Sequence, residues 1–331
     1  MGYKIAVIGS NEKIGYEILN TLAEFQEAKR IIVDSIVPLA SKESVGKKIS
    51  FGNKELSILN FTDYNFANIN VAIFCASAYL STPIAMAAGS LVIDSTSYLK
   101  IQEDVPLIIT EINHEKIRGH NLILNPSSIT IQMLLALNPL HKYAKVKRIT
   151  VSTYQSTAGA GKAAMDELYI QTKKMFMNED KKPEIFSKQI AFNCIPQVGD
   201  FTEDGHTEEE LQIAEETKKI LGRDIQVVVT CVRVPVFIGN AVSVNIEFHS
   251  PITVELAYKI LREAEDNGVL VYDQREDGGY MTQIDVVQEN VVYVSRVRKD
   301  QTVKHGLSLW IVADNLQALN IAHILEHKSK M

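Results

Sequence analysis

The sequence predicts an α/β protein in two domains. Residues 1–126 should form a helix-flanked, largely parallel sheet, and residues 127–313 an α+β domain built on a large mixed sheet. A last helix, over about 314–331, should pack back on the first domain. Three observations carry this reading. Up to Pro126, short unbroken apolar runs alternate with stretches at helical spacing, and strands without a polar side are buried on both faces, as in parallel sheets. Beyond Val146 the strands become longer, and the first of them alternates polar with apolar residues. The chain has 331 residues, 46% hydrophobic and 22% charged, which is enough for two cores of ordinary size.

The elements follow in order. "YKIAVIG" is an apolar strand ending at Gly9, and Ile14, Ile18 and Leu22 then mark one face of a helix. "RIIVDSIVPLA" is a second strand. "VAIFCA" and "LVIDST" are short apolar strands with "STPIAMAAG" as a helix between them, and "VPLIIT" and "NLILNP" continue the series. This is the layout of a dinucleotide-binding domain. "ITIQMLLALNPLHKYA" is a long amphipathic helix, "VKRITVSTYQS" the alternating strand, and "GAGKAAMDELYIQTKKMF" a helix that starts at its glycines. "MNEDKKPEIFSKQ" is charged and proline-containing, hence a loop. "TEEELQIAEETKKIL" opens with Thr207 and Glu210 in capping-box spacing. "IQVVVTCVRVPVFIG", "VSVNIEFHS", "VVYVSRVRKD" and "HGLSLWIVAD" supply the large sheet, and "LQALNIAHILEHKSK" is the last helix.

Composition excludes several classes of function. Net charge is −6, from 34 Lys+Arg against 40 Asp+Glu, with no basic stripe, so nucleic acid is not an expected partner. No apolar run approaches a membrane span of roughly 20 residues, so no membrane partner is expected. The start "MGYKIAVIGS" enters a strand at once and lacks signal-peptide anatomy, which points to the cytoplasm. Cys75, Cys194 and Cys231 show no CxxC spacing, so they read as buried thiols, and no metal site is expected.

The strings "VSTYQSTAGAGKAAMDEL", "NPSSITIQMLLALNPLH", "FTEDGHTEEELQIAEETKKILG", "TCVRVPVFIGNAVSVNIE" and "VSRVRKD…HGLSLWIVADNL" occur in collinear order over almost the whole chain. Together they resemble the aspartate-semialdehyde dehydrogenase family. The resemblance implies a Rossmann-type NAD(P)-binding domain, a catalytic and dimerisation domain, a homodimer and a place in amino-acid biosynthesis. It also implies NADP-dependent reductive dephosphorylation of aspartyl phosphate through a cysteine thioester. A shared fold does not by itself assign that chemistry to this chain.

The chain departs from the family's pattern at the chemistry. The family's Asn-Pro-Asn-Cys reads Asn125-Pro126-Ser127-Ser128 here, which puts Ser128 at the nucleophile position. A thiol of pKa about 8.5 is partly ionised at neutral pH, whereas a serine needs a base beside it. A helix N-terminus favours an anion by only roughly 1 kcal/mol. The simpler reading is that Ser127 and Ser128 cap the helix beginning near Ile129. The family's histidine after Arg-Val-Pro-Val is Asn240, which cannot take up a proton at neutral pH. Of the eight histidines only His206 falls in a segment near the family's active site, and it reads as a solvated turn residue.

Gln155, Glu209 and Arg233 match residues of the family's substrate shell, while its phosphate-binding arginine is Lys100 and its lysine near Glu209 is Gln212. By composition alone, Glu209 is the exposed face of a helix and Arg233 is either a residual anion site or a structural ion pair.

The cofactor segments are altered in the same way. The family's G-x-[ST]-G-x-[VI]-G loop appears as Gly9-Ser10-Asn11-Glu12-Lys13-Ile14-Gly15, with Glu12 in place of the middle glycine. Asn11 and Glu12 would support the helix start without any ligand. The family's Ser-x-Arg-Ser-x-Gly appears as Ser41-Lys42-Glu43-Ser44-Val45-Gly46, with Glu43 facing the place of a 2′-phosphate. Ser-Ala-Gly-Gly has become Cys75-Ala76-Ser77-Ala78, and a Lys-Gly-Ala segment after "DNL" is missing. Gly9, Ser10, Asn11, Gly15, Ser41 and Ser44 therefore read as remnants of a cofactor site. NADP binding should be weak or absent, and NAD is the more compatible cofactor. The expectation is a degenerate paralogue of Usg type, catalytically silent and kept for a binding or structural role. The alternatives are an active NAD(P)-dependent semialdehyde dehydrogenase with altered chemistry, and a sensor of an amino-acid-like anion held by Arg233, Gln155 and Glu209.

Overall fold

A computed structural model describes residues 2–75, 82–96, 102–179 and 182–331. The chain divides into one unit of Met1–Ser127 with Gln317–Met331 and a second of Ser128–Leu316.

The first unit is built from β1 (Tyr3–Ile8), α1 (Lys13–Glu27), β2 (Val33–Ala40), β3 (Lys48–Phe51), β4 (Lys54–Ser57), β5 (Leu59–Asn60), β6 (Val71–Phe74), α2 (Thr82–Ala87), β7 (Leu91–Asp94), α3 (Thr110–Asn113) and β8 (Leu122–Leu124). Six strands lie in the order β5-β2-β1-β6-β7-β8. Every neighbouring pair is parallel. Strand order turns round at β1, with β2 on one side and β6 on the other, and such a switch opens a crevice beyond the carboxyl ends of these strands.

One face of the sheet packs Ile5, Val7, Ile73 and Ile93 against Ile18, Leu22 and Phe25 of α1 and against Ile321, Ile324 and Leu325 of the C-terminal helix, Gln317–Ser329. The other face packs Ala6, Ile8, Phe74 and Val92 against Phe66 and Ala85. The sequence reading is corrected at "VPLIIT". No strand forms there: only Leu107 pairs, as a single bridge to Leu124, and the chain then turns into α3. The antiparallel hairpin of β3 and β4 was not foreseen, because its strands are four residues each and mostly polar.

The second unit contains α4 (Ser128–Ala144), β9 (Val146–Gln155), α5 (Lys162–Phe176), α6 (Glu208–Leu221), β10 (Gln226–Arg233), β11 (Asn240–Phe248), α7 (Val254–Arg262), β12 (Val269–Val271), β13 (Val292–Asp300) and β14 (Gly306–Ala313). Its sheet has the order β10-β9-β11-β14-β13-β12. The sheet is mixed: β10 with β9 and β12 with β13 are parallel, the other pairs antiparallel. Ile149, Val151 and Thr153 of β9 are buried while Arg148, Thr150, Ser152 and Tyr154 are half-buried, as the alternation predicts. α6 starts with the reciprocal bonds of a capping box, Thr207 Oγ1 accepting from Glu210 N at 3.3 Å and Glu210 Oε2 from Thr207 N at 2.9 Å. α5 starts at Gly161, whose φ of 87° suits glycine. Neither α7 nor β12 was anticipated. Cys75 and Cys231 are buried, but Cys194 is exposed, because the turn after Asn193 lies at the surface.

Candidate functional site

One candidate site, in the first unit, lies in the crevice beyond β1 and β6. Gly9 has φ 85°, a left-handed backbone that favours glycine, and its carbonyl accepts from Glu12 N at 3.0 Å. Gly9 N and Ser10 N both donate to Leu39 O, at 2.8 and 3.1 Å, and the buried Ser10 hydroxyl adds a third bond to that carbonyl. A Cβ on Gly15 would stand 2.3 Å from Gly9 O and 2.7 Å from Ser10 Cα, so only glycine fits where helix and loop meet. The two end glycines of a dinucleotide-binding turn are thus demanded by its geometry.

The middle position is not demanded in that way. Glu12 is exposed and N-caps α1 with an extended backbone, φ −76° and ψ 157°, and its side chain makes no capping hydrogen bond. Glu12 thus occupies the helix start, where its carboxylate could act on α1 through charge but not through a capping hydrogen bond. Its charge reaches the end of β6. Burial pushes the Cys75 thiol up, and the carboxylates of Asp94 and Glu12 push it further in the same direction.

Ser41, Glu43 and Ser44 form a short 3-10 turn over Lys42–Ser44, closed by Ser44 N donating to Ser41 O at 3.0 Å. Ser44 is buried and Glu43 is open to solvent. The Ser41 hydroxyl holds the Glu43 carboxyl below its usual range, and Lys47 helps. Lys100, Ala76, Ser77 and Ala78 lie outside the described residues.

A separate candidate site, in the second unit, is one row of residues across its sheet. Arg233 of β10 pairs in register with Gln155 of β9, Gln155 with Asn240 of β11, and Asn240 with Ala313 of β14. Four strand ends, separated in sequence by up to 158 residues, therefore share one edge. Asp314 follows directly, and its carbonyl accepts from the Ser128 hydroxyl at 3.5 Å. The same hydroxyl accepts from Leu316 N at 3.2 Å. Ser128 is the first residue of α4, so the N-cap place falls to Ser127. The capping role expected of Ser128 is corrected: its hydroxyl ties the helix start to the Asp314–Leu316 segment.

Asn240 Oδ1 accepts from Ser156 N at 3.2 Å, directly beyond Gln155. Gln155 donates through Nε2 to Glu209 Oε1 at 2.9 Å and to Thr153 Oγ1 at 3.2 Å. Glu209 is therefore half-buried and bonded to the row, not the exposed helix residue expected from its sequence. Arg233 is buried, donates through Nη1 to Ser156 O at 2.6 Å, and lies against Gly159, where a Cβ would come within 3.0 Å of the guanidinium. Burial raises the Glu209 carboxyl above its ordinary range, although the Gln155 bond and the charge of Arg233 both pull it down. Burial lowers the Arg233 guanidinium, against the charge of Glu209. Burial likewise pushes the Cys231 thiol up, two residues before Arg233.

The row thus brings one cation, one carboxylate and two amides to a single edge. Such a set can bind a zwitterionic or anionic organic acid through hydrogen bonds and charge. Among its members Glu209 is the one carboxyl, and burial raises its proton affinity. His206 stays in its turn, 3.8 Å from Glu210 Oε2 and half open to solvent.

Gln132, one turn along α4 from Ser128, was not singled out by the sequence reading. It is fully buried, and its amide has no hydrogen-bond partner among the described residues. Its polarity inside an apolar helix was the available signal. Among the described residues no cluster of His, Cys, Asp or Glu is arranged to hold a metal ion, and no helix is long and apolar enough to cross a membrane.

Comparison with known proteins covers the whole chain. Residues 4–120 match the semialdehyde dehydrogenase NAD binding domain, and residues 137–318 match the semialdehyde dehydrogenase dimerisation domain. An aspartate-semialdehyde dehydrogenase of Rickettsia bellii (strain RML369-C) is 44% identical over 99% of this chain and 98% of its own. One of Bacillus subtilis (strain 168) is 38% identical over 100% of this chain and 98% of its own. The crystal structure of aspartate semialdehyde dehydrogenase II complexed with ASA, from Vibrio cholerae, matches with a TM-score of 0.93 at 38% identity, covering 100% of this chain and 99% of that one.

Proposed function

The chain belongs to the aspartate-semialdehyde dehydrogenase family, and from that premise we propose that it has kept the family's scaffold and lost its chemistry, serving a binding or structural role. The observation that carries this is the state of the two positions where the family has its cysteine and histidine. Ser128 is an alkanol whose hydroxyl is occupied by Asp314 O and Leu316 N. Asn240 is an amide occupied by Ser156 N, with no proton to exchange. Nucleophilic attack on an aldehyde needs an activated nucleophile, and hydride transfer from the adduct needs a proton acceptor. Neither group meets its requirement.

What remains at the row is recognition. Gln155, Glu209 and Arg233 form the set that would hold an amino-acid-like anion, and Glu209, drawn towards its neutral form by burial, leaves Arg233 the more exposed to such a ligand's negative charge. The cofactor crevice fits a dinucleotide poorly. Its backbone turn is intact at Gly9 and Gly15, but Glu12 places a carboxylate where a pyrophosphate would meet the start of α1. Glu43, held ionised by Ser41, opposes a 2′-phosphate and suits a ribose hydroxyl, so NAD is the better of the two cofactors.

In this role the chain is a cytoplasmic homodimer formed through the second unit. Helices α4 and α6 pack against its sheet, while Arg148, Thr150, Ser152 and Tyr154 stay half-buried on β9. Light scattering should give a dimer, and a particle of 36.9 kDa at micromolar concentration would exclude it.

The deciding assay is phosphate-dependent reduction of NADP, and of NAD, with aspartate semialdehyde, comparing the natural chain with Ser128→Ala. Both should show the same negligible rate. A natural-chain rate tenfold or more above that of Ser128→Ala would make serine a nucleophile and overturn the proposal.

A further inference from the structure

The C-terminal helix, Gln317–Ser329, is held at both ends by polar contacts of very different kinds. At its start the contacts are neutral amides. Asn320 is buried and uses its whole side chain: Nδ2 donates to Ile108 O and Asn125 Oδ1, both at 2.7 Å, and Oδ1 accepts from Thr110 N and Thr110 Oγ1, at 3.1 and 3.2 Å. Asn125 Nδ2 donates to Gln317 O at 3.2 Å and to Ser95 Oγ at 2.7 Å, and Gln317 Nε2 donates to Pro126 O at 3.0 Å. The helix start therefore clasps the Asn125–Pro126 turn from both sides.

At the other end the contacts are titratable. His327 stacks on His114, with ring centroids 4.6 Å apart and planes at 20°. His114 is itself anchored, its Nδ1 lying 3.0 Å from Thr110 O. One turn back, His323 Nδ1 meets Glu111 Oε1 at 2.6 Å and packs on Phe25, and Thr110 Oγ1 bonds the other oxygen of Glu111. The remaining charges facing this end are Glu326, paired with Arg30 of the α1 side and with Lys330, and Lys330 itself. Three of the chain's eight histidines thus converge with one glutamate on the last two turns of this helix.

We propose that the C-terminal helix is an acid-released clamp on the Asn125–Pro126 turn, with the stacked His114–His327 pair as the release. Two neutral imidazoles stack favourably. Two imidazolium rings at that separation repel, and Lys330 adds to the repulsion while Glu326 is already engaged by Arg30 and Lys330. The sign follows from His327. Burial, then the nearby His114 and Lys330, lower its proton affinity in the docked helix. A freed helix takes up that proton more readily, so docking is fully stable above the ordinary histidine pKa of about 6.5 and weakens as pH falls through it. The Glu111–His323 contact is a second catch that acts lower. Burial works against it, but the bond and charge of His323 hold the Glu111 carboxyl below its usual range, so this contact persists until the solution is acid enough to protonate a carboxylate. Release therefore starts at the last turn, and the contacts of Asn320 and Gln317 with Asn125 and Pro126 loosen after it.

The test is hydrogen exchange on the full chain at pH 7.5 and 5.5, expressed as protection so that the intrinsic pH dependence cancels, with α1 as internal reference. Amides of the C-terminal helix should lose about three- to tenfold protection at pH 5.5, as expected for one group with a perturbed pKa. Leu124 and Asn125 should lose protection with them, and α1 should not. The double change His114→Gln with His327→Gln should abolish the pH response. A helix whose protection does not fall relative to α1, or a double variant that keeps the full response, overturns the proposal. If that variant does not fold, a proton NMR titration of the natural chain decides: His327 must titrate below a free histidine, and a free-histidine value refutes the clamp.

Discussion

Replacing Glu12 by glycine should create or strengthen dinucleotide binding without harming the fold. The fold has little to lose, because the Glu12 carboxylate makes no capping bond and its backbone is extended. Glycine is accepted at an N-cap at a cost of only a few tenths of a kcal/mol relative to good caps. The turn around it is set by other residues, Gly9 through its positive φ and Gly15 through its close approach to Gly9 O. The gain is electrostatic. One unit charge acting on another at 4 Å costs about 1 kcal/mol in water and about 4 kcal/mol near a protein surface. Glu12 is exposed, so the lower part of that range applies, and about 1–3 kcal/mol for a pyrophosphate is the reasonable span. At 1.4 kcal/mol per tenfold, Glu12→Gly should tighten NAD or NADP binding about 5- to 150-fold. Titration calorimetry with both dinucleotides, at low and at moderate salt, measures this. The gain should shrink with added salt, because exposed charges are screened. Low-micromolar binding of NADP by the unaltered chain, or no change in Glu12→Gly, would refute the reasoning.

Two further outcomes are expected. Glu209→Gln should stabilise the protein at pH 7.5, raising Tm by a few degrees, and leave it unchanged near pH 4. The carboxyl's folded pKa is raised, so its stabilising neutral form is complete below the unfolded value and is lost as pH rises, while the glutamine carbonyl still accepts from Gln155. Thermal melts across that pH range check it, and a variant destabilised at pH 7.5 would show that Glu209 is held as a favourable ion. Glu167→Ala should cost about 2 kcal/mol and open the 182–192 segment to protease, since this buried carboxylate accepts from Gln171 Nε2 at 2.7 Å, Ile185 N at 2.6 Å and Glu184 N at 3.3 Å. Unchanged cleavage under native conditions would contradict that role.

How much of this was legible in the sequence depended on the range of the interaction concerned. β1, β6 and β7 were readable because strands buried on both faces leave an unbroken apolar run. α6 was readable because its capping box is local, three residues apart. "VPLIIT" misled for the same reason that the strands succeeded: it is apolar because it is buried, with Ile108 and Ile109 fully covered, yet it enters the sheet through one bridge alone. Burial, not pairing, was what its composition recorded. At the candidate site the sequence could supply the identities of Gln155, Arg233 and Asn240 but not their common register, which is a property of three strands brought side by side. Glu209 was misjudged because an acidic helix start normally faces water, and only the sheet edge in front of it makes that position half-buried. The use of the Ser128 hydroxyl by Asp314 and Leu316 spans more than 180 residues of sequence, beyond any local rule.

The altered positions share a physical pattern that bears on whether the changes are reversible. Three of the replacements, all in the second unit, hold hydrogen bonds of their own, unlike Glu12. Ser128 holds Asp314 O and Leu316 N, Asn240 holds Ser156 N, and Gln212 donates to Glu216 Oε1 at 2.7 Å, in the helix where the resemblance expects a lysine. A thiol at residue 128 is a weak donor and weak acceptor and would keep those bonds poorly. An imidazole at residue 240 has no carbonyl oxygen to offer Ser156 N. A lysine at residue 212 would bring a charge beside the buried Glu216, whose carboxylate also receives the Thr130 hydroxyl. Either reversal at residues 128 and 240 therefore leaves local polar groups less well satisfied, at about 1–3 kcal/mol for each one left buried without a partner. It also restores only one member of a catalytic set whose effects are not additive. Ser128→Cys alone, or Asn240→His alone, should accordingly recover little activity while lowering stability, and the pair should remain slow as long as Glu12 faces the cofactor crevice. Ser128, Asn240 and Gln212 are each part of the hydrogen bonding of the second unit, so replacing any one of them disturbs more than the site.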